Sequence, residues 1–373
     1  MRLDRETTEH RQIPSRLPML RFIVLALFTA MLVPALCAET VVVDGLRWES
    51  PRVLAQGSSS AGIAGGWDAL FANPALFTTE DIEITAISLS VGGRPDPTAP
   101  EEPMSSRILR QIVDDGRGGR VQLGYGLVGR GWGLGFAGVL RGESEDPASG
   151  LVDLHVDAGL TIGYARQIRR DELRLAVGGD LRPLVRLEAA DLSVATLDAA
   201  ASDPRPMATL MNEMETVDAG WGIGVDVGGS AAWRDFRASM VLRDIGHTRY
   251  LGYRGAVDDL RRSDVGALTP MTLRTGFAYD PIGEKVDPVF HVESIIPLAG
   301  ADIREDAGYA TALGRLNFGA EARIMEVFTV RAGLCGGQPS AGLGLDLHLF
   351  EVNAAFRVDR PDVDGRIEIA ARY

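Results

Sequence analysis

The chain has 373 residues, 46% hydrophobic and 24% charged, with 44 glycines and a formal net charge of −13. Near-average polarity excludes a disordered chain and a polytopic helical membrane protein. An acidic chain without a basic cluster has nothing to neutralise nucleic-acid phosphates, so no nucleic acid is expected as partner.

At the N-terminus, the apolar run from Phe22 to Leu36 follows Arg16 and Arg21 and leads into Cys37-Ala38-Glu39. Fifteen residues are too few to cross a bilayer comfortably but suit the apolar region of a secretory signal, with cleavage after Cys37 or Ala38. Residues 1–38 are therefore expected to be a signal peptide, the alternative being an N-terminal anchor. Met19 opens a more usual signal than the acidic stretch before it and is the expected true start. Removal of the signal leaves Cys335 as the thiol of the exported part, so no disulfide framework is expected.

Beyond residue 80 the chain alternates with period two, apolar residues against glycine and polar residues. Trp132/Leu134/Phe136 stand against Gly133/Gly135/Ala137, and Trp221/Ile223/Val225 against Gly222/Gly224/Asp226. The alternation predicts strands at 80–92, 119–128, 132–142, 153–168, 172–187, 219–233, 236–245, 270–280, 286–297, 315–325, 327–336, 339–348, 350–359 and 364–373. Tight connections such as Gly129-Arg130-Gly131 and Arg234-Asp235 alternate with long ones such as 188–218 and 246–269. An even strand number with short turns at one end and long loops at the other predicts an all-β fold, a transmembrane antiparallel up-and-down barrel of about 14 strands. Closure removes unpaired strand edges from lipid, which a soluble sandwich or solenoid, the alternative architectures, does not require.

Trp132, Trp233, Phe236, Tyr279, Phe328, Phe350 and Tyr373 fall beside the short turns, as one interfacial girdle would. The chain ends with Ile367, Ile369, Ala371 and Tyr373 in alternation, which resembles the C-terminal assembly signal of outer-membrane barrels. The expected location is accordingly the bacterial outer membrane, with its lipid as a partner.

Residues 48–77 contain a small-residue stretch that leads into Asp68-Ala69-Leu70-Phe71-Ala72-Asn73-Pro74-Ala75. This resembles the N-terminal signature of the FadL/TodX/PorV superfamily of outer-membrane barrels. Val241-Leu242-Arg243-Asp244, Leu268-Thr269-Pro270-Met271-Thr272-Leu273-Arg274 and Val330-Arg331-Ala332-Gly333 are similar to later strands of that family. The resemblance implies that 39–78 is a hatch inside the lumen, joined through Asn73, Pro74 and Ala75 to a barrel at 79–373. It further implies that long loops capture a hydrophobic ligand, and Met207, Leu210, Met211, Met214, Tyr250 and Tyr253 are the expected contacts; these methionines could equally pack their loop onto the rim.

Enzyme chemistry is not signalled. Gly133-Leu134-Gly135-Phe136-Ala137-Gly138 fits a dinucleotide pattern but lies within a strand, and the histidines show no metal spacing. No cofactor, metal or catalytic residue is expected, and the mixed inward charges are expected to line a polar lumen. Two function classes stay open: a channel for hydrophobic small molecules such as long-chain fatty acids, or a PorV-like barrel that docks envelope protein partners in a secretion, attachment or conjugation assembly. A soluble exported β-protein is a more remote third.

Overall fold

The computed structural model describes residues 41–42, 46, 48–93, 119–143, 151–193, 217–251, 267–281, 286–298, 316–325, 327–359 and 362–373. The expected signal peptide and the loop residues Met207, Leu210, Met211, Met214 and Tyr253 lie outside them.

After a two-residue strand β1 (Val41–Val42), the chain forms β2 (Glu83–Gly93), β3 (Gly119–Gly129), β4 (Trp132–Glu143), β5 (Leu151–Arg170), β6 (Leu173–Ser193), β7 (Val217–Trp233) and β8 (Phe236–Arg243). Two short strands follow, β9 (Thr248–Tyr250) and β10 (Ala267–Thr269). The series then resumes with β11 (Thr272–Tyr279), β12 (Val286–Pro297), β13 (Leu316–Ile324), β14 (Phe328–Cys335), β15 (Gln338–Asp346), β16 (Phe350–Asp359) and β17 (Asp362–Arg372). Fourteen of these, β2–β8 and β11–β17, close into one antiparallel barrel. The seam pairs β17 with β2, and Ile84 and Tyr373 exchange two backbone hydrogen bonds of 2.9 Å.

Alternation sets the two faces. Along β6 Val177 and Leu181 are 64% and 53% exposed on the outside, whereas Asp180, Arg182 and Arg186 are buried in the lumen. In β2 a bulge between Thr85 and Ser88 turns both Ala86 and Ile87 outward and returns Ser88 and Ser90 to the lumen. The tight turns rest on left-handed residues: Arg130 (φ 53°), Asp171 (φ 52°) and Arg234 (φ 51°) each start a two-residue hairpin loop.

Two expected strands are cut short by the same backbone feature. The strand expected at 236–245 ends at Arg243 because Asp244 has φ 53°, and that at 339–348 ends at Asp346 because His348 has φ 68°. Alternation continues through His348, so hydropathy could not mark that end, whereas at the other end the polar pair Arg243-Asp244 already breaks it. The stretch read as a loop at 246–269 contributes β9 and β10, which form a small sheet with β1 in the order β1-β10-β9.

The aromatic residues expected at the short-turn end are all exposed, and the fold pairs several of them. Phe236 stacks on Tyr279 at 4.9 Å, and Trp132 meets Tyr164, which the sequence reading had not placed in the girdle, edge-on at 4.9 Å.

Candidate functional site

Residues 48–78 run inside the barrel as a hatch, and none of them is exposed. Local capping shapes the segment first. The Ser50 hydroxyl accepts a hydrogen bond from the Val53 amide at 3.2 Å, and Pro51 follows it, so a short helix starts at Pro51–Ala55. Gly57 (φ 67°) and Ser58 (φ 59°) end it in a left-handed turn, and the Ser58 amide returns to the Val53 carbonyl at 2.9 Å. Asn73 is extended (φ −158°), as expected for a residue before proline, and its Oδ1 accepts from the Ala75 amide at 3.0 Å.

Two kinds of contact hold the hatch. Toward β3–β5 the contact is apolar. Trp48, Trp67 and Phe71 form a mutual aromatic cluster with centroids 5.1–5.4 Å apart, packed with Leu70, Leu76 and Phe77. Their floor is glycine: a Cβ on Gly124 would lie 2.1 Å from the Trp67 ring, and Cβ atoms on Gly133 and Gly163 would lie 2.6 and 2.5 Å from Phe77. The inward glycines, expected merely as small residues of a polar face, are here the space that lets aromatic rings lie against the sheet.

Toward β12–β17 ionic bonds join the apolar packing of Leu54 and Ala55 on Ala355. Glu49 meets Arg366 at 2.8 Å and accepts from Ser58 Oγ at 2.5 Å. Burial pushes the Glu49 carboxyl up, but Arg366 and Arg357 outweigh it and hold the group well below the usual carboxylate range. Gln56 Nε2 donates to Glu321 at 2.7 Å, and Arg331 Nε donates to the same oxygen at 2.7 Å. From there the bonds run around the wall: Arg331 to Asn353 at 2.8 Å, Asn353 to Glu368 at 3.2 Å, and Ser88 to Glu368 at 2.6 Å. Such connectivity is what makes burying charges tolerable.

The motif Asn73-Pro74-Ala75 is the contact with β6 and β7. Asn73 Nδ2 donates to the Ala61 carbonyl at 3.1 Å and the Gly229 carbonyl at 3.4 Å. A Cβ on Gly228 would sit 1.9 Å from Asn73 Oδ1, and one on Gly178 would sit 2.6 Å from the Pro74 carbonyl oxygen. One side chain thus ties two parts of the hatch to each other and to the wall.

At the long-loop end a buried network turns the chain inward after β8. Arg182 Nη2 reaches Asp226 at 2.7 Å and Asp244 at 3.1 Å, while Arg243 reaches Asp226 at 3.2 Å. The Asp244 amide donates to Asp226 at 2.8 Å, and Thr248 Oγ1 donates to Asp244 at 2.8 Å. This corner directs β9 into the lumen. Tyr250 is accordingly only 4% exposed and lies in the same apolar cluster as Trp48 and Leu46, with the Arg186 guanidinium 5.9 Å from its ring centroid.

The terminal residues Ile367, Ile369 and Tyr373 face outward on β17 and just beyond it, with Tyr373 69% exposed, and Ala371 is half-buried between them. Sequence reasoning missed the paired contribution of Trp48, Glu49 and Trp67 to the hatch. Their signal was indirect: two tryptophans and an acid flanking a stretch rich in glycine, serine and alanine. Among the described residues no cluster of three or more metal-ligating side chains forms.

No protein-family model matches the chain. No curated protein matches it in sequence. Among solved structures the chain is similar to the CymD monoaromatic hydrocarbon channel, at 13% identity and a TM-score of 0.48, over 86% of this chain and 96% of that one. It is also similar to the Pseudomonas putida toluene transporter TodX, at 12% identity and a TM-score of 0.45, over 90% and 98% of the two chains. A Pseudomonas aeruginosa FadL homologue gives 12% identity and a TM-score of 0.46, over 88% and 99%.

Proposed function

We propose that this chain is an outer-membrane channel that passes hydrophobic small molecules, with long-chain fatty acids as the ligand class. The observation that carries the reading is the seam between Trp48, Trp67 and Phe71 of the hatch and the glycine floor of β3 and β4. An apolar ligand can replace these apolar contacts without stripping water from a charge, whereas parting the hatch from Glu321 or Arg366 would break buried ionic hydrogen bonds. A lipid-facing exterior of Ile, Leu, Val and aromatic side chains supports placement in a membrane, and the short turns then face the periplasm.

In this reading residues 1–38 are removed on export, 39–78 act as the hatch and 79–373 as the barrel. Met207, Leu210, Met211, Met214 and Tyr253 offer the first contact at the outer mouth, and Tyr250 continues the apolar surface inside it.

The test is uptake of radiolabelled oleate by cells that carry or lack the protein, together with solvent extraction and mass spectrometry of the purified barrel. Faster uptake and a co-purified fatty acid or hydrocarbon are expected. Equal uptake and a ligand-free barrel overturn the reading, and a stoichiometric envelope protein in place of the ligand would establish a docking barrel instead.

A further inference from the structure

The polar turn of the hatch carries an anion-binding arrangement whose occupant belongs to the wall. Glu293 of β12 is fully buried, and one of its oxygens, Oε2, collects three donors from the hatch: the Ser60 amide at 2.6 Å, the Ala61 amide at 2.8 Å and the Ser59 hydroxyl at 3.3 Å. The Ser59 hydroxyl is itself 2.9 Å from His291 Nδ1. Oε1 has no hydrogen-bond partner among the described residues and faces the Arg274 guanidinium at 3.6 Å. Arg274 Nε is likewise buried without a partner among them.

The backbone is cut to fit this arrangement. Gly276 is directly opposite Glu293 in the β11–β12 ladder, and a Cβ there would lie 3.2 Å from the Gly62 nitrogen. Residues 60–62 can therefore lie flat over the ladder with two consecutive amides pointing at one carboxylate. Adjacent amides that converge in this way bind anions, and a guanidinium on the other side completes a carboxylate-sized receptor.

We propose that Ser59–Ala61 and Arg274 form a carboxylate-binding site that Glu293 fills in the resting barrel and that a small aliphatic carboxylate can occupy in its place. The site concerns binding and not passage, so it stands apart from the transport reading. Glu293 competes from the wall at high effective concentration. An external carboxylate therefore gains the site where the Glu293 carboxylate is removed while the hatch stays beside Arg274.

The test is chemical rescue in the full-length barrel. In E293A, amide hydrogen exchange over residues 57–63 should rise about tenfold or more, the equivalent of losing roughly 1.4 kcal/mol of local protection. Sodium acetate should restore protection saturably, whereas sodium chloride at equal ionic strength should not. In E293Q the isosteric amide still fills the space, and acetate should have no effect. Exchange in E293A equal to wild type, or restored equally by chloride, overturns the proposal. If E293A assembles poorly, the yield of heat-modifiable barrel on refolding in acetate against chloride gives the same reading, and equal yields overturn it. A fatty-acid-free, transport-inactive barrel that still shows acetate rescue would remove the transport reading and leave this site standing.

Discussion

Gly124 of β3 lies beneath Trp67 of the hatch so closely that a methyl group on Gly124 would stand 2.1 Å from the indole ring. No rotamer change at Gly124 can relieve that contact, because the obstruction is the Cβ itself. The G124A substitution must therefore move Trp67, and with it the aromatic cluster. Overpacking of this kind costs about 1–3 kcal/mol. The expected result is a lower heat-modification temperature and a red-shifted tryptophan emission; the same substitution at Gly138, where a Cβ meets nothing closer than 3.8 Å, should be nearly silent.

Asn73 and Gly228 should behave as a coupled pair. N73A removes the acceptor of the Ala75 amide and the donor to the Ala61 carbonyl, a loss of about 1–2 kcal/mol. G228A should drive the wall into Asn73 Oδ1, and the double variant G228A/N73A should lose less than the sum of the two. Denaturation of the three variants in detergent gives the coupling energy, and strict additivity would show that the two groups do not meet.

Arg182 is 2% exposed and has Asp180, Asp226 and Asp244 within 3.6 Å. R182M preserves most of the volume but takes the shared counter-charge from Asp180, Asp226 and Asp244, leaving Asp226 to Arg243, which costs about 3–5 kcal/mol. The expected outcome is failure of the inward corner after β8, read as new protease cleavage near Thr248. Restoring a positive charge with R182K should recover only part of the loss, because a lysine cannot bridge two carboxylates in one plane.

Glu49 predicts how hatch anchoring responds to acid. Its folded-state pKa lies below the ordinary 4.5, so its contribution is fully present above that pH and is lost as pH falls through and below it. Asp68 runs the other way: burial raises its pKa, so its neutral form is favoured in the fold and its contribution fades as pH rises through the raised value. Limited proteolysis of the hatch between pH 7 and pH 3 should show loosening below about pH 4.5. In E49Q that acid step should flatten, and an unchanged step would assign it to another group.

Leu181 tests the membrane-facing side. It lies near the middle of β6 and points outward, so L181R would place a guanidinium in hydrocarbon at a cost of about 2–4 kcal/mol. A sharp fall in heat-modifiable barrel in the membrane fraction is expected. The same side chain at the rim, at Leu151, should be tolerated far better.

Period-two patterning together with the alternation of short turns and long loops determined the barrel, because a strand that meets lipid on one face and a lumen on the other must alternate and its ends must be joined in turn on the two sides. Each of the fourteen barrel strands overlaps an alternating segment of the sequence, and the short turns carry the residues that tight hairpins require. The resemblance of Asp68–Ala75 to a known hatch signature likewise pointed to a luminal segment, and its asparagine is one of the residues that join hatch to wall.

What only the tertiary structure decided is which wall residue each hatch residue meets. Glu293 and Ser60 are 233 residues apart, and Gly124 receives Trp67 across a lumen; neither relationship leaves any trace in local periodicity. A left-handed residue at His348 ended a strand whose alternation continued, since hydropathy does not record φ. The excess of glycine, visible at once in the composition, acquired its meaning last. Many of those residues have no side chain because a specific part of the hatch occupies the place where the side chain would be.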